Sequence, residues 1–125
     1  MRLAAAAVDQ IAEARTLPLQ LPLPRDPRAL RLAERLTVDP ADPAGLAELA
    51  RAAGASARTI QRLFLGETGL PFAQWRQRLR LLHGAAALGE GKSVTDAGLE
   101  AGYSGTSAFI AAFRKHFGVT PSRLR

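Results

Sequence analysis

One stretch of this chain is present twice. Val94-Thr-Asp-Ala-Gly-Leu-Glu-Ala-Gly102 matches Leu46-Ala-Glu-Leu-Ala-Arg-Ala-Ala-Gly54 at an offset of 48, and beyond the glycine Phe109, Phe113 and Gly118 match Ile60, Phe64 and Gly69 at 49. A one-residue difference in the turn accounts for the change of offset. Both copies end on a proline that starts the next element, Pro71 and Pro121. Self-similarity of this kind means that one supersecondary unit has been used twice.

The first copy shows what the unit is. Over Ser56–Gly69, at about 100° per residue, Ile60, Leu63 and Phe64 share one helical face, while Arg58, Gln61, Arg62 and Leu65 share the other. Ser56 is a good N-cap and Gly69 a good stop. Upstream, Leu46, Leu49, Ala50 and Ala53 form a second short apolar stripe closed by Gly54. Two short helices joined by a tight glycine turn read as a helix-turn-helix. The units are expected at 43–67 and 93–118, with Ser93 capping the second.

Between them, Pro71–Leu88 carries Phe72, Trp75, Leu79, Leu82 and Ala86 as a buried stripe, and Arg76, Arg78 and Arg80 keep the rest polar. Gly84 inside that helix costs about 1 kcal/mol relative to Ala, so close packing is the expected reason for it. Gly89-Glu90-Gly91 breaks the helix, which sets the linker helix at 71–89. Ala, Leu and Arg dominate the chain and β-branched residues are scattered. The expected fold is all-α: two helix-turn-helix units, each a homeodomain-like three-helix assembly, joined by a long central helix.

The N-terminal part differs in kind. Arg2–Ala14 predicts an amphipathic helix with Leu3, Val8 and Ile11. Leu17–Pro27 holds four prolines in eleven residues, too many for a helix. Leu17, Leu19, Leu21 and Leu23 alternate there, as in a strap lying along a neighbouring surface. Asp26 then caps a helix begun by Pro27, with Leu30, Leu32 and Leu36 inward and Asp39-Pro40 as its end. Asp42-Pro43 is expected to open the next one.

Charge is distributed unevenly. Residues 1–42 hold six Arg and six acidic residues, whereas residues 43–125 hold eleven Lys and Arg against five acidic residues. The whole net charge of +6 therefore lies with the repeated units. Such a region is attracted to polyanions, nucleic acid first and anionic membrane second. Absence of Cys excludes disulfides, thiolate metal sites and thiol nucleophiles. His83 and His116 stand 33 residues apart with no other His, so no metal site is expected, and no plausible triad or carboxylate pair is present. No apolar run approaches the roughly 20 residues of a membrane span, and Met1–Val8 is too poor for a secretory signal. The expectation is a non-enzyme without cofactor, in the cytoplasm and away from membranes.

Taken together, Leu46-Ala-x-Leu-Ala-x-x-Ala-Gly54, Ser56-x-Arg-Thr-x-x-Arg-Leu-Phe64 with Glu67-Thr-Gly69, Arg80-Leu81, Val94-x-x-Ala97 and above all Gly102-Tyr-Ser-x-x-Ser-x-Phe109-x-x-x-Phe-x-x-x-Phe-Gly118-x-Thr-Pro121-Ser-x-x-Arg125 resemble the DNA-binding domain of the AraC/XylS family of bacterial transcription regulators. The resemblance covers about residues 28–125. It implies that residues 1–27 are an N-terminal helix and Pro-rich linker at the end of a sensor domain absent from this chain. It also implies two recognition helices, 56–67 and 105–117, in successive major grooves of double-stranded promoter DNA.

Arg58, Gln61 and Arg62 fall at base-contacting places, with Ser107 and Ala111 at those of the second unit. Thr59, Arg76, Arg80, Thr106, Arg114 and Lys115 fall near the DNA backbone. Arg76 and Arg80 could instead pair internally with Glu or a helix end. Arg suits guanine and Gln suits adenine by bidentate hydrogen bonds, whereas Ala111 can touch only a thymine methyl. The second unit is therefore expected to read bases more weakly. RNA polymerase is an implied partner if the protein is an activator, and effector and dimer contacts are implied to lie in the sensor domain. DNA-repair methyltransferases carry the same kind of domain but need a reactive Cys. A helical interaction module with a basic face for an acidic partner is the alternative.

Overall fold

The computed structural model describes residues 21–124, so the helix expected at 2–14 lies outside the described residues. Six α-helices follow in order: α1 Pro27–Val38, α2 Leu46–Ala53, α3 Ala57–Thr68, α4 Phe72–Gly89, α5 Val94–Glu100 and α6 Thr106–Phe117. A 3-10 turn, Pro121–Leu124, closes the chain. The fold is all-α, with two helix-turn-helix units, α2–α3 and α5–α6, on either end of α4.

The repeat is exact in backbone terms at its turns. Gly54 and Gly102 both take the left-handed conformation, φ 84° and 100°, which a side chain would strain. The residue after each donates its N–H five residues back, Ala55 to Ala50 O at 2.9 Å and Tyr103 to Gly98 O at 3.0 Å. These are the same helix-closing bonds in both copies. Each second helix then runs for twelve residues and ends on a glycine, Gly69 or Gly118.

Two separate cores result. The first gathers α1, α2, α3 and the start of α4 around Ile60, Phe64 and Trp75, all fully buried. Phe64 packs edge-on against Phe72 and Trp75, with centroids 5.0 and 5.1 Å apart. The second core is smaller and surrounds Phe109 and Phe113 with Leu81, Ala87, Leu88 and Ala97. A Cβ placed on Gly84 would lie 2.6 Å from the Phe109 ring, and one on Gly98 would lie 3.0 Å from it. The glycine expected to be there for close packing is there for that reason.

Sharing α4 between two cores changes which of its residues are buried. Phe72, Trp75 and Leu79 enter the first core, but Leu81, Gly84, Ala87 and Leu88 are the buried residues beyond it. Leu82 is half-buried and Ala86 exposed, against the expected single stripe. At 3.6 residues per turn the two buried sets point about 160° apart. The ladder from Phe72 to Ala86 does follow one face, but the first core ends after Leu79 and leaves that face nothing further to cover.

Two local expectations also shift. Pro43 does not open α2: Asp42 Oδ1 accepts the Ala44 N–H at 2.9 Å in an Asx turn, and the helix begins at Leu46 after Gly45. Pro71 stands before α4 as its N-cap rather than inside it. The strap is attached, but with a different period. Pro24 is buried, Leu21 packs on the first core and Leu23 is exposed, a spacing of three instead of two. Three is the repeat of a polyproline II chain, which proline density favours. The Trp75 indole N–H donates to Pro22 O at 2.7 Å, and Glu67 Oε1 accepts the N–H groups of Arg25 and Asp26 at 2.6 and 2.9 Å. Residues 21–26 thus lie on the first unit. Among the described residues, no helix is long and apolar enough to cross a membrane.

Candidate nucleic-acid interface

The first recognition helix, α3, is fixed at both ends and along one side. Ser56 Oγ accepts the Thr59 N–H at 3.1 Å and donates to the Thr59 hydroxyl at 3.0 Å, which turns Thr59 into part of the cap. Ile60, Leu63 and Phe64 anchor the inner face. The outer face then has to present Arg58, Gln61, Arg62 and Leu65, and all four are exposed. Neither Arg58 nor Arg62 forms an ion pair among the described residues, so both guanidiniums keep their donors for a partner.

The second recognition helix, α6, is built on the same frame with other chemistry. Phe109 and Phe113 anchor it, while Ser107, Ala108, Ala111, Arg114 and Lys115 are exposed. Its N-cap is Gly105, which has no side chain to bond the first turn. Thr106 is half-buried and its hydroxyl lies 3.3 Å from that of Thr95 on α5. Long hydrogen-bonding side chains are therefore dense on α3 and sparse on α6, where Ala111 stands at the middle of the outward face. Arg114, Lys115 and His116 supply cationic or neutral donors near the helix's end. Burial and the nearby Arg78 charge push the His116 imidazole below its ordinary pKa, which favours the neutral ring.

Arg76 and Arg80 are engaged in a different way. The two terminal nitrogens of Arg76 donate to Asp42 O at 2.6 Å and Ala44 O at 2.8 Å, and Arg80 Nε donates to Pro40 O at 3.3 Å. These carbonyls belong to the segment between α1 and α2, which has no ladder to satisfy them. Arg76 is engaged internally, though with loop carbonyls rather than the Glu or helix end expected as its internal partner. Arg80 keeps its terminal nitrogens free of protein partners among the described residues. A Cβ on Gly102 would meet Arg80 Nε and Pro40 O at 3.0 Å, so the turn of the second unit abuts the first unit here.

Sequence reasoning missed several polar ties of the first unit. Arg31 donates to Ala53 O at 3.0 Å, Arg35 pairs with Asp42 at 2.8 Å, and Glu67 holds the strap. Glu67 was visible as part of a motif, but its partners are 41 and 42 residues away. No spacing pattern reports such a bond. Among the described residues no group of His, Asp or Glu could hold a metal ion.

A family described as a helix-turn-helix domain matches residues 49–125. The chain is 41% identical over 101 residues to the HTH-type transcriptional regulator RipA of Corynebacterium glutamicum, an alignment covering 81% of this chain and 30% of that protein. Among solved structures, a regulator from Chromobacterium violaceum with an AraC-type DNA-binding domain superposes with a TM-score of 0.73 at 27% identity, covering 79% of this chain and 89% of that one. The DNA-binding domain of the global transcriptional factor AdpA, solved in complex with a target DNA, gives 0.72 at 26% identity over 79% and 89% of the two chains. The chain spans less than half the length of the RipA and NimR regulators it matches, 30% and 45% of them.

Proposed function

The chain belongs to the AraC-type helix-turn-helix family of transcriptional regulators, and from that premise we propose that it reads double-stranded DNA by sequence, with α3 and α6 set in successive major grooves. One observation carries the reading. Arg58, Gln61 and Arg62 are exposed together on a helix whose opposite face is buried to the last carbon of Ile60 and Phe64. A helix pinned in that way presents its donors in one orientation, which is what bidentate recognition of guanine or adenine needs. The eighteen residues of α4 span about 27 Å at 1.5 Å each, which suits units serving groove segments about 34 Å apart.

On this reading α3 carries most of the base information. Ser107 and Ala111 on α6 contribute contact to bases, with Ala111 suited to a thymine methyl. Thr106, Arg114 and Lys115 hold phosphate. Arg80 can also reach the backbone, whereas Arg76 acts through the segment it supports. We assign effector binding and dimerisation to sequence outside these 125 residues, and contact with RNA polymerase follows if the protein is an activator.

Selection from random duplexes tests the reading, followed by affinity measurements on the selected site. Arg58→Ala and Arg62→Ala should each cost about 1–3 kcal/mol and relax preference at one position. Arg114→Ala and Lys115→Ala should weaken all sequences alike and each reduce the salt slope by about 1. Enrichment of no motif at moderate salt would sink the proposal and leave the basic-faced interaction module in its place.

A further inference from the structure

Between the two units, above α4, lies a cleft of about 440 Å³ lined by Gln61, Phe72, Arg76, Gln77, Arg80 and Tyr103 among others. It joins four parts of the molecule. Leu46 comes from the start of α2, Gln61 from the outer face of α3, Tyr103 from the turn of the second unit, and the remainder from α4.

Its charged lining is cationic, Arg76 and Arg80, beside the Gln61 and Gln77 amides and the Tyr103 hydroxyl. The Nε–H of Arg76 and the hydroxyl of Tyr103 are buried side-chain groups with no hydrogen-bond partner, and both belong to this one cleft. Leaving a buried donor unmet costs about 1–3 kcal/mol, more for a charged group. Burial pushes the Tyr103 hydroxyl above its ordinary pKa, so it keeps its proton. Arg80 adds free terminal nitrogens, and burial first and the Arg80 charge second lower the pKa of the Arg76 guanidinium.

No carboxylate lines the cleft to neutralise this pair. Asp42, the acid that acts on Arg76, has its carboxylate bonded to Arg35 at 2.8 Å. Two guanidiniums, a phenol hydroxyl and two amides line one space without an acid among them. A cation is excluded by that charge, and an apolar guest would leave the donors unmet. An oxyanion satisfies them, by charge-assisted bonds that are among the strongest a protein makes.

We propose that this cleft is an oxyanion site, taking a phosphate or carboxylate group at Arg80 and Tyr103 with the Arg76 Nε–H behind them. Two sources share that chemistry: a phosphodiester of bound DNA, and a free small anion. The first source rests on the DNA-reading function proposed above; the second does not. The volume exceeds one phosphate group and falls within the roughly 300–1,000 Å³ of small-molecule sites. Because Gln61 serves both the cleft and the outer face of α3, an occupant would bias how that side chain meets a base.

The test is NMR of the arginine Nε–H groups in the 125-residue chain, titrated with inorganic phosphate at constant ionic strength against chloride, then with the selected duplex. Saturable displacement of the Arg76 and Arg80 signals by phosphate, weakened about tenfold in Tyr103→Phe as expected for loss of one bond to a charged group, supports a free anion. Tyr103→Phe keeps the ring against Phe109, so the fold survives the change. Displacement by duplex alone, reduced in Arg80→Gln, supports the phosphodiester. Signals that follow chloride as closely as phosphate, and ignore the duplex, overturn the site. If Arg58→Ala and Arg62→Ala show no effect on DNA while phosphate still displaces the signals, the DNA reading fails and the cleft stands.

Discussion

The two helix-turn-helix units share a backbone plan and differ in almost everything that hangs on it. Among the described residues the first gathers fourteen buried residues in its core and the second six, and the first alone is tied by long-range side-chain bonds such as those of Arg31, Glu67 and Trp75. Their caps are reversed as well. Ser56 caps the recognition helix of the first unit and Gly105 that of the second, while Gly45 and Ser93 cap the helices before them. The units thus share the turn geometry and a twelve-residue second helix, and differ in side-chain chemistry. The first is firmly held and presents long donors; the second is a glycine-packed body whose outward face is small and basic.

That contrast can be broken most severely at the centre of the larger core. Trp75→Ala should destabilise the first unit by about 3–5 kcal/mol, since it removes a fully buried indole and its bond to Pro22 O. Urea unfolding followed by resolved amide signals should show the first unit lost while α6 signals persist to higher denaturant. Simultaneous loss of both would mean that the shared α4 makes the units one cooperative body.

A smaller effect is expected from Gly84→Ala. Its methyl would enter the Phe109 ring, and overpacking of this kind costs about 1–3 kcal/mol. The lone Tyr103 reports the second unit and the lone Trp75 the first, so fluorescence and near-UV dichroism can separate the two transitions. An unchanged tyrosine transition would mean that the second core has slack that the packing does not suggest.

Caps offer a finer comparison. Ser56→Ala should cost about 1 kcal/mol, whereas Gly105→Ser should add a few tenths by supplying the missing bond. Gly105 has an extended φ of −157° and open space at its Cβ, so serine fits without strain. Thermal midpoints of the two variants should move in opposite directions.

Acid separates the units by sign and window rather than by size. Bonds to Arg28 hold the Asp26 carboxyl at about 2, the Arg35 bond lowers that of Asp42, and the Asp26 and Arg25 amides lower that of Glu67. A carboxylate depressed in the fold lends stability that is complete above its unfolded value near 4 and lost as pH falls towards its folded one. The first unit should therefore weaken between about pH 4 and 2. The depressed His116 acts at higher pH: its contribution is complete above about 6.5 and declines below it as the unfolded chain takes up the proton first. An acid titration watching Trp75 and the α6 amides should show the second unit responding first. A tryptophan transition near pH 6 would contradict the assignment.

Much of this molecule was legible in its residues because helices and turns are local. Ser56 with Gly69, the paired turns at Gly54 and Gly102, and the Phe109–Phe113 spacing act within one or two turns of chain. So does the exposed row of Arg58, Gln61 and Arg62, which follows once Ile60 and Phe64 are buried. Gly84 could be read as a contact point, though its partner could not. Where the reading went astray, the cause was a neighbour distant in sequence. The Phe72–Ala86 ladder was followed past Leu79 because nothing local says that α4 passes from one core to another on its opposite side. The internal partners of Arg76 were expected to be a Glu or a helix end because its spacing gives no sign of the carbonyls at Asp42 and Ala44.

The sequence by itself determined that there are two helix-turn-helix units, where they turn, and which faces of their second helices look outward. Those properties depend on backbone preference and on hydrophobic period, and both are written along the chain. Only the tertiary structure decided that α4 faces two ways, that Arg76 and Arg80 secure the loop beneath the first unit, and that Gly102 brings the second unit against it. It also decided that Gln61, Arg76, Arg80 and Tyr103 surround one cleft. Each of these needs residues tens of positions apart to meet, and burial of a carbonyl or a guanidinium is settled only when they do.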